Sequence, residues 1–365
     1  MHIGKQTVHN LSSKIEGSVV KLGKTNFYKI SNVDHMRPFF MSIVSCSNHW
    51  MFISSNGALS AGRKDSNNAL FPYYTDDKIT ESGEITGSKT IFQVRIDDKC
   101  FLWEPFSDRN KGAYNIQRNL YKSIYGNEII FEEINRDLDI AFKYKWSSSN
   151  SFGFVKRSTL VNTGDKKIAV RVLDGLQNII PYGVSEDLQN RRSNLVDAYK
   201  KSELEVDSGI GIFALSSIIV DKAEPSEALK STIAWAEGIQ NPTYLLSSLQ
   251  LDNFRNGESV HQETDIKAEK GAYFICADIK LNKSEDSSWS LIANVNQSIV
   301  DIRNIATKIE NTNNLASLIE KDIATGTKKL IQLVEASDGN QLAADTLRNT
   351  RHFANTMFNI MRGGI

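Results

Sequence analysis

The sequence predicts a mainly β protein in which stacked antiparallel sheets are followed by helices. Three observations predict it. Apolar residues alternate with polar ones through most of the chain, the period of a half-buried strand. Aromatic residues and prolines both stop abruptly: 31 of the 33 Phe, Trp and Tyr residues precede residue 298, and all six prolines precede residue 243. Beyond that break the apolar spacing is helical.

The clearest strand is 138–146, where Leu138, Ile140, Phe142, Tyr144 and Trp146 share one face and Asp139, Lys143 and Lys145 the other. Residues 167–173 repeat the pattern. Stretches 39–44, 50–53, 91–96, 210–220, 232–236, 244–251 and 273–279 read as further strands from their β-branched and aromatic content. Asn162-Thr-Gly-Asp165 and Ser55-Asn-Gly57 supply turns between them. One helix, 185–199, interrupts this region, with Ser185 as N-cap and Leu188, Leu195 and Tyr199 at helical spacing.

After residue 298 the rows Ile302, Ile305, Ile309, then Leu315, Ile319, Ile323, then Leu330 and Val334 define helices. Thr325-Gly326 and Ser337-Asp-Gly339 are the expected interruptions, and 350–361 forms a last helix. The expected division is a β domain over 1–297, a helical linker over 298–349, and over 350–365 the start of a further helical unit. The ending Arg362-Gly-Gly-Ile365 reads as a cut through that unit.

Composition excludes several function classes. Lys plus Arg and Asp plus Glu number 43 each, so no net field draws the chain to phosphate backbones or anionic lipid, and neither nucleic acid nor membrane is an expected partner. Cys46, Cys100 and Cys276 are odd in number and far apart, which argues against a disulfide framework and for a reducing, cytoplasmic setting. Apolar runs such as Ile129-Ile-Phe131 are far short of a membrane span.

Motifs for metal, nucleotide or nucleophile are weak. His35, Cys46 and His49 lack a second close ligand pair, so no metal site is expected. Gly87-Ser-Lys-Thr90 and Gly209-Ile-Gly211 lack the phosphate-cradle context and are read as turns. The pairs Glu132-Glu133 and Asp76-Asp77 are candidate glycosidic carboxylates, but neighbours on a strand face opposite ways, and they are read as solvated edge or turn charges. More informative are aromatic and polar residues grouped in presumed polar loops, 56–65, 70–77 and 103–106. Flat rings beside Asn, Asp and Arg suit sugars, although rings beside prolines are also common in sandwich cores.

The stretch Trp50-Met-Phe-Ile-Ser-Ser-Asn-Gly-Ala-Leu-Ser-Ala-Gly-Arg-Lys-Asp65 resembles the strand and loop near the start of cellobiose phosphorylase-like enzymes, glycoside hydrolase family 94, formerly glycosyltransferase family 36. Ala69-Leu-Phe-Pro-Tyr-Tyr-Thr-Asp-Asp-Lys78, Asp174-Gly-Leu-Gln-Asn-Ile-Ile-Pro-Tyr-Gly183, Ala223-Glu-Pro-Ser-Glu227 and Tyr244-Leu-Leu-Ser-Ser-Leu-Gln-Leu251 are similar to a bacterial branch of that group. The resemblance implies a β-supersandwich of the galactose mutarotase type, a helical linker, and the first helix of an (α/α)6 barrel. It further implies that the catalytic acid lies beyond Ile365, so no catalytic residue is expected in this chain. An oligosaccharide, such as a β-glucoside, would be the substrate. No cofactor is implied, inorganic phosphate would be the co-substrate of an inverting reaction, and the chain would form a homodimer.

Within the resemblance, Ser60 and Arg63 are the expected hydroxyl partners of a sugar at the substrate entrance, and Arg362 is a further candidate that could equally cap the last helix. Gly57-Ala-Leu-Ser60 stands where the characterised enzymes have Gly-Gly-Tyr-Ser, which leaves the sugar and the choice between phosphorolysis and hydrolysis open. A stand-alone carbohydrate-binding or assembly module is the alternative, and a mutarotase-like epimerase a further one.

Overall fold

The computed structural model describes residues 14–217 and 229–361, together with a pair of two-residue strands, His2–Ile3 and Gln6–Thr7. Beyond that pair, three antiparallel sheets form among the described residues. The largest runs, in spatial order, Asp265–Lys267, Lys200–Glu205, Ile210–Leu215, Lys230–Glu237, Asp286–Ser298, Gly153–Asn162, Ile140–Ser149, Ile129–Asn135, Ile116–Ser123, Thr25–Ser31 and Glu16–Leu22. A second contains Lys99–Trp103, Gly87–Ile96, Ile168–Ile179, Gly271–Leu281 and Thr243–Leu245. The third is a meander of Phe40–Ile43, His49–Ser54, Leu59–Arg63 and Ala69–Phe71. The protein is thus mainly β, with layered antiparallel sheets.

Alternation explains the layering. Ile140, Phe142, Tyr144 and Trp146 are all buried, and they share one core with Phe92, Val94, Val170 and Val172 of the second sheet and Ile53, Leu59 and Phe71 of the third. The opposite face of the large sheet is covered too. Val155, Trp235 and Ile292 pack there against Ile302, Ile305, Leu315, Ile319 and Ile323. Those residues belong to the helices Ile299–Asn311 and Leu315–Asp338, which follow directly on the last strand. Ser298 starts the first of them with a capping box: its Oγ accepts from Asp301 N at 3.3 Å while the Asp301 carboxylate accepts from Ser298 N at 2.9 Å. The final helix, Thr346–Met361, sets Phe353 and Met357 against Leu330 and Val334. Among the described residues no helix is long and apolar enough to cross a membrane.

Several expectations need correction. The helix expected over 185–199 is two short ones, Glu186–Arg191 and Ser193–Tyr199, broken at Arg192; Ser185 does cap the first, accepting from Leu188 N at 3.2 Å. Of the strand expected over 244–251, only Thr243–Leu245 is extended, and Leu251 opens a helix to Arg255 that covers the outer face of the second sheet. The strand expected over 210–220 is formed as Ile210–Leu215, and its last three positions lie outside the described residues, as do 223–227. Thr325-Gly326 does not interrupt its helix. Gly326 lies against the loop between strands Phe40–Ile43 and His49–Ser54, where a methyl group would meet Cys46 Sγ at an ordinary contact distance of 3.5 Å, and the helix tolerates glycine's cost of about 1 kcal/mol.

Candidate functional site

The stretch expected as a polar loop over 56–65 is instead a tight hairpin and its return strand. Strands His49–Ser54 and Leu59–Arg63 pair with His49 opposite Arg63 and Phe52 opposite Ser60. The turn closes through Ser54 N to Ala58 O at 2.8 Å, and Asn56 Oδ1 accepts from Ala58 N at 3.1 Å. Gly57 is required there: its φ is 92°, and a Cβ would meet the Tyr144 hydroxyl at 2.8 Å. This turn carries Asn56 to the rim of a cleft.

The cleft, of about 210 Å³, lies between the turn, the segment after strand Lys99–Trp103, and strand Ile116–Ser123. Phe106 and Phe131 give it aromatic surface, while Asp34, Asn56, Asp108, Lys111, Arg118 and Asn119 give it polar edges. Glu133 organises one side. Buried to 1% exposure, it accepts from Trp103 Nε1 at 2.8 Å, Phe106 N at 2.7 Å and Arg118 Nε at 2.8 Å. Arg118 also donates to Ser107 O at 2.9 Å and to Asp108 Oδ1 at 3.4 Å. Burial alone would lower the Arg118 pKa; Glu133 first, then Asp108 and Asp34, outweigh it and hold the guanidinium above its ordinary value. Phe106 adopts a φ of 64°, a costly conformation for a bulky residue, held by the bond to Glu133 and by ring contacts at 5.2 Å to Tyr144 and 6.2 Å to Phe131.

A second ionic cluster supports this wall from beneath. Lys89 Nζ meets Glu84 Oε2 at 2.5 Å and Glu104 Oε1 at 3.0 Å, and Arg255 binds both Glu104 oxygens at 2.9 Å. Glu84 in turn accepts from Asp108 N at 2.9 Å and Ser107 Oγ at 3.1 Å, fixing the segment that carries Phe106. Burial pushes the Glu104 carboxyl up, but Arg255 and Lys89 together bring it below its ordinary value.

These findings revise the carboxylate reading. Glu132 and Glu133 do face opposite ways, Glu132 bonding to Asn119 Nδ2 at 2.9 Å and Tyr121 OH at 2.5 Å, but neither is a solvated edge charge. Gly87-Ser-Lys-Thr90 is no turn: it opens the strand Gly87–Ile96 and places Lys89 and Thr90 in the interior. Residues 76–77 begin the helix Asp76–Glu81. Cys46 faces Gly326, the His49 ring lies edge-on to Phe154 at 4.8 Å, and His35 Nε2 is 3.8 Å from Asp34 Oδ2.

Of the residues singled out in the sequence, Ser60 is fully enclosed and its Oγ has no hydrogen-bond partner among the described residues. Arg63 sits at the far end of the same strand, on a different cleft from Phe106. The structure therefore does not bring Ser60 and Arg63 to one surface. Arg362 lies outside the described residues. No motif spacing marks Arg118, Asp108 or Asn119 in the sequence, whereas Asn56 and Phe106 belong to the aromatic and polar stretches 56–65 and 103–106.

No protein-family model matches the chain, and no curated protein matches it. Solved structures similar to it include a polysaccharide lyase, 12% identical, covering 75% of this chain and 34% of that one at a TM-score of 0.40. A protein named as a kojibiose phosphorylase from the human microbiome is 12% identical, covering 87% of this chain and 40% of that one at 0.43. A galactose mutarotase-like protein from Lactobacillus casei is 10% identical, covering 70% of this chain and 100% of that one at 0.35. The chain spans less than half the length of the first two.

Proposed function

We propose that the chain is the sugar-contacting, non-catalytic front portion of a carbohydrate-active enzyme, and that the Phe106 cleft holds one sugar ring. The observation that carries this reading is the placement of the Phe106 ring beside Asp108, Arg118 and Asn119 in a cleft of about 210 Å³. Sugars stack C–H faces on aromatic rings and need fixed donors and acceptors for their hydroxyls. The volume is in proportion, since a cavity of about 150 Å³ admits a bare six-membered ring such as benzene. Arg118 is held in place by Glu133, so it recognises a hydroxyl without first being ordered.

The finer reading follows the family resemblance in the sequence. The parent enzyme is a cytoplasmic glycoside phosphorylase or hydrolase of the family 94 type, acting as a homodimer on an oligosaccharide with inversion and with phosphate as co-substrate. Its catalytic acid lies outside this chain, and the last helix, Thr346–Met361, opens its barrel. Calorimetric titration with a panel of mono- and disaccharides tests the sugar reading, which fails if none binds. Incubation with cellobiose and phosphate tests the assignment of the acid elsewhere: the expected product is no glucose 1-phosphate, and turnover by this chain contradicts it.

A further inference from the structure

Strand Leu59–Arg63 ends at a second cleft, of about 150 Å³, lined by Arg63 and Lys64 with Asn48, Asn68, Asn296, Gln297 and Val295. Its polar lining is two cations and four carboxamides. The Arg63 guanidinium is anchored from one side: Nε donates to Asn48 Oδ1 at 2.8 Å, and Nη1 to Asn294 Oδ1 at 3.2 Å and Asn150 O at 3.4 Å. All three acceptors are neutral. Among the described residues Nη2 has no acceptor, and no carboxylate reaches ion-pair distance of Arg63 or Lys64.

The nearby carboxylates are engaged elsewhere. Asp65 accepts from Asn67 N at 3.1 Å and Asn68 Nδ2 at 2.7 Å, and Asp322 accepts from Ser151 N at 3.1 Å and Ser151 Oγ at 3.2 Å. Several enclosed cations among the described residues meet a carboxylate, as Lys89 and Arg255 do at Glu104 and Arg118 does at Glu133, whereas Lys122 donates to the Ser42 carbonyl at 2.9 Å. A half-buried guanidinium without one is electrostatically incomplete. The local field registers this. The buried His49 ring opposite Arg63 has its pKa lowered from 6.5 to about 3, by burial first and the Arg63 charge second, against a weaker pull from Asp322. The Lys64 backbone is held beside the cleft by a φ of 66° and a bond from its N–H to Asn48 O at 2.6 Å, and its side chain is exposed.

We infer that this cleft binds an oxyanion, with Arg63 Nη2 and Lys64 Nζ as its counter-charges and the carboxamides as neutral donors. The shared chemistry is that of a sugar carboxylate or a phosphate group. Its size fits a charged group rather than a whole ligand, since pockets enclosing drug-sized molecules run to roughly 300–1,000 Å³. Arg63 supplies a planar fork suited to two oxygens, and both bonds gain strength from charge. The inference stands apart from the sugar reading of the Phe106 cleft, which involves neither cation.

The test is a titration of the isotope-labelled chain with glucuronate, inorganic phosphate and methyl glucoside, followed at the Arg63 Nε–H and Lys64 amide resonances and at the His49 ring. At least one anion should give saturable shifts, weaken several-fold from 50 to 300 mM salt, and raise the His49 pKa, while methyl glucoside does none of these. Tighter binding of glucuronate identifies a sugar carboxylate as the ligand, and tighter binding of phosphate identifies a phosphate group. Lys64→Asn, which tolerates the left-handed backbone, should weaken binding about tenfold with the melting temperature unchanged, and Arg63→Gln should abolish it. Absence of saturable shifts with both anions, equal shifts with methyl glucoside, or unaltered affinity in Lys64→Asn overturns the inference.

Discussion

Lys156 Nζ donates to Asp174 Oδ1 in the middle of the sandwich, and both side chains are 0% exposed. The pair ties strand Gly153–Asn162 of the large sheet to strand Ile168–Ile179 of the second, across the core rather than along a sheet. Asp174 is saturated by Thr90 Oγ1 at 2.6 Å, Ser158 Oγ at 2.9 Å and Trp289 Nε1 at 2.7 Å. Burial lowers the Lys156 pKa, and Asp174 opposes that shift. Lys156→Met leaves Asp174 a buried, under-compensated charge and should cost about 3–5 kcal/mol in urea unfolding. Adding Asp174→Asn should restore part of that loss, because the two changes share one interaction; strictly additive losses would contradict the coupling.

Glu104 gives an acid signature. Its folded pKa is depressed, so its stabilising contribution is complete at neutral pH and disappears as pH falls through the folded value. Glu104→Gln should destabilise the protein at pH 7 by about 3 kcal/mol and flatten the fall in melting temperature below pH 5. An unchanged acid limb in the variant would assign acid unfolding to other groups.

His49 gives a second one with its own window. In the unfolded chain the ring takes a proton near 6.5, whereas in the folded chain it resists to about 3, so this group lowers stability progressively as pH falls between those values. Its ring resonances should stay constant from pH 8 to pH 4.5. Titration near 6.5 would mean that the ring is not enclosed beside Arg63.

The left-handed backbone of Phe106 separates stability from binding. Phe106→Gly relieves about 1–3 kcal/mol of strain while losing the ring contacts to Phe131 and Tyr144, so the net change in urea unfolding should stay within about 2 kcal/mol. Sugar affinity should nevertheless fall at least tenfold.

What was legible in the sequence follows from which faces are buried. Residues 138–146 alternate because only one side of that strand is enclosed, and Ile140 to Trp146 are read correctly as core. Gly153–Asn162 has no alternation to read, since Phe154 and Leu160 face the sandwich while Val155 faces the helices. Leu59–Arg63 hides as a loop because three of its four enclosed positions, Ser60, Ala61 and Gly62, are small, and at Gly62 close packing against Trp50 and Asn68 leaves no room for a side chain. The cleft is harder still. Lys89, Glu104, Glu133, Lys156 and Asp174 are polar residues on interior faces, and composition assigns such residues to solvent. Pairing with residues distant in the chain, Lys89 with Glu104 or Trp103 with Glu133, offsets much of their cost of burial.

The most direct measurement of the central claim is a sugar titration of the labelled chain read at the amides of Phe106, Asp108, Arg118 and Asn119. The account expects these four resonances to shift together and saturably with at least one neutral sugar, and the response to vanish in Phe106→Gly while that variant remains folded. Sugar-induced shifts that bypass all four residues, or an undiminished response in Phe106→Gly, would contradict it.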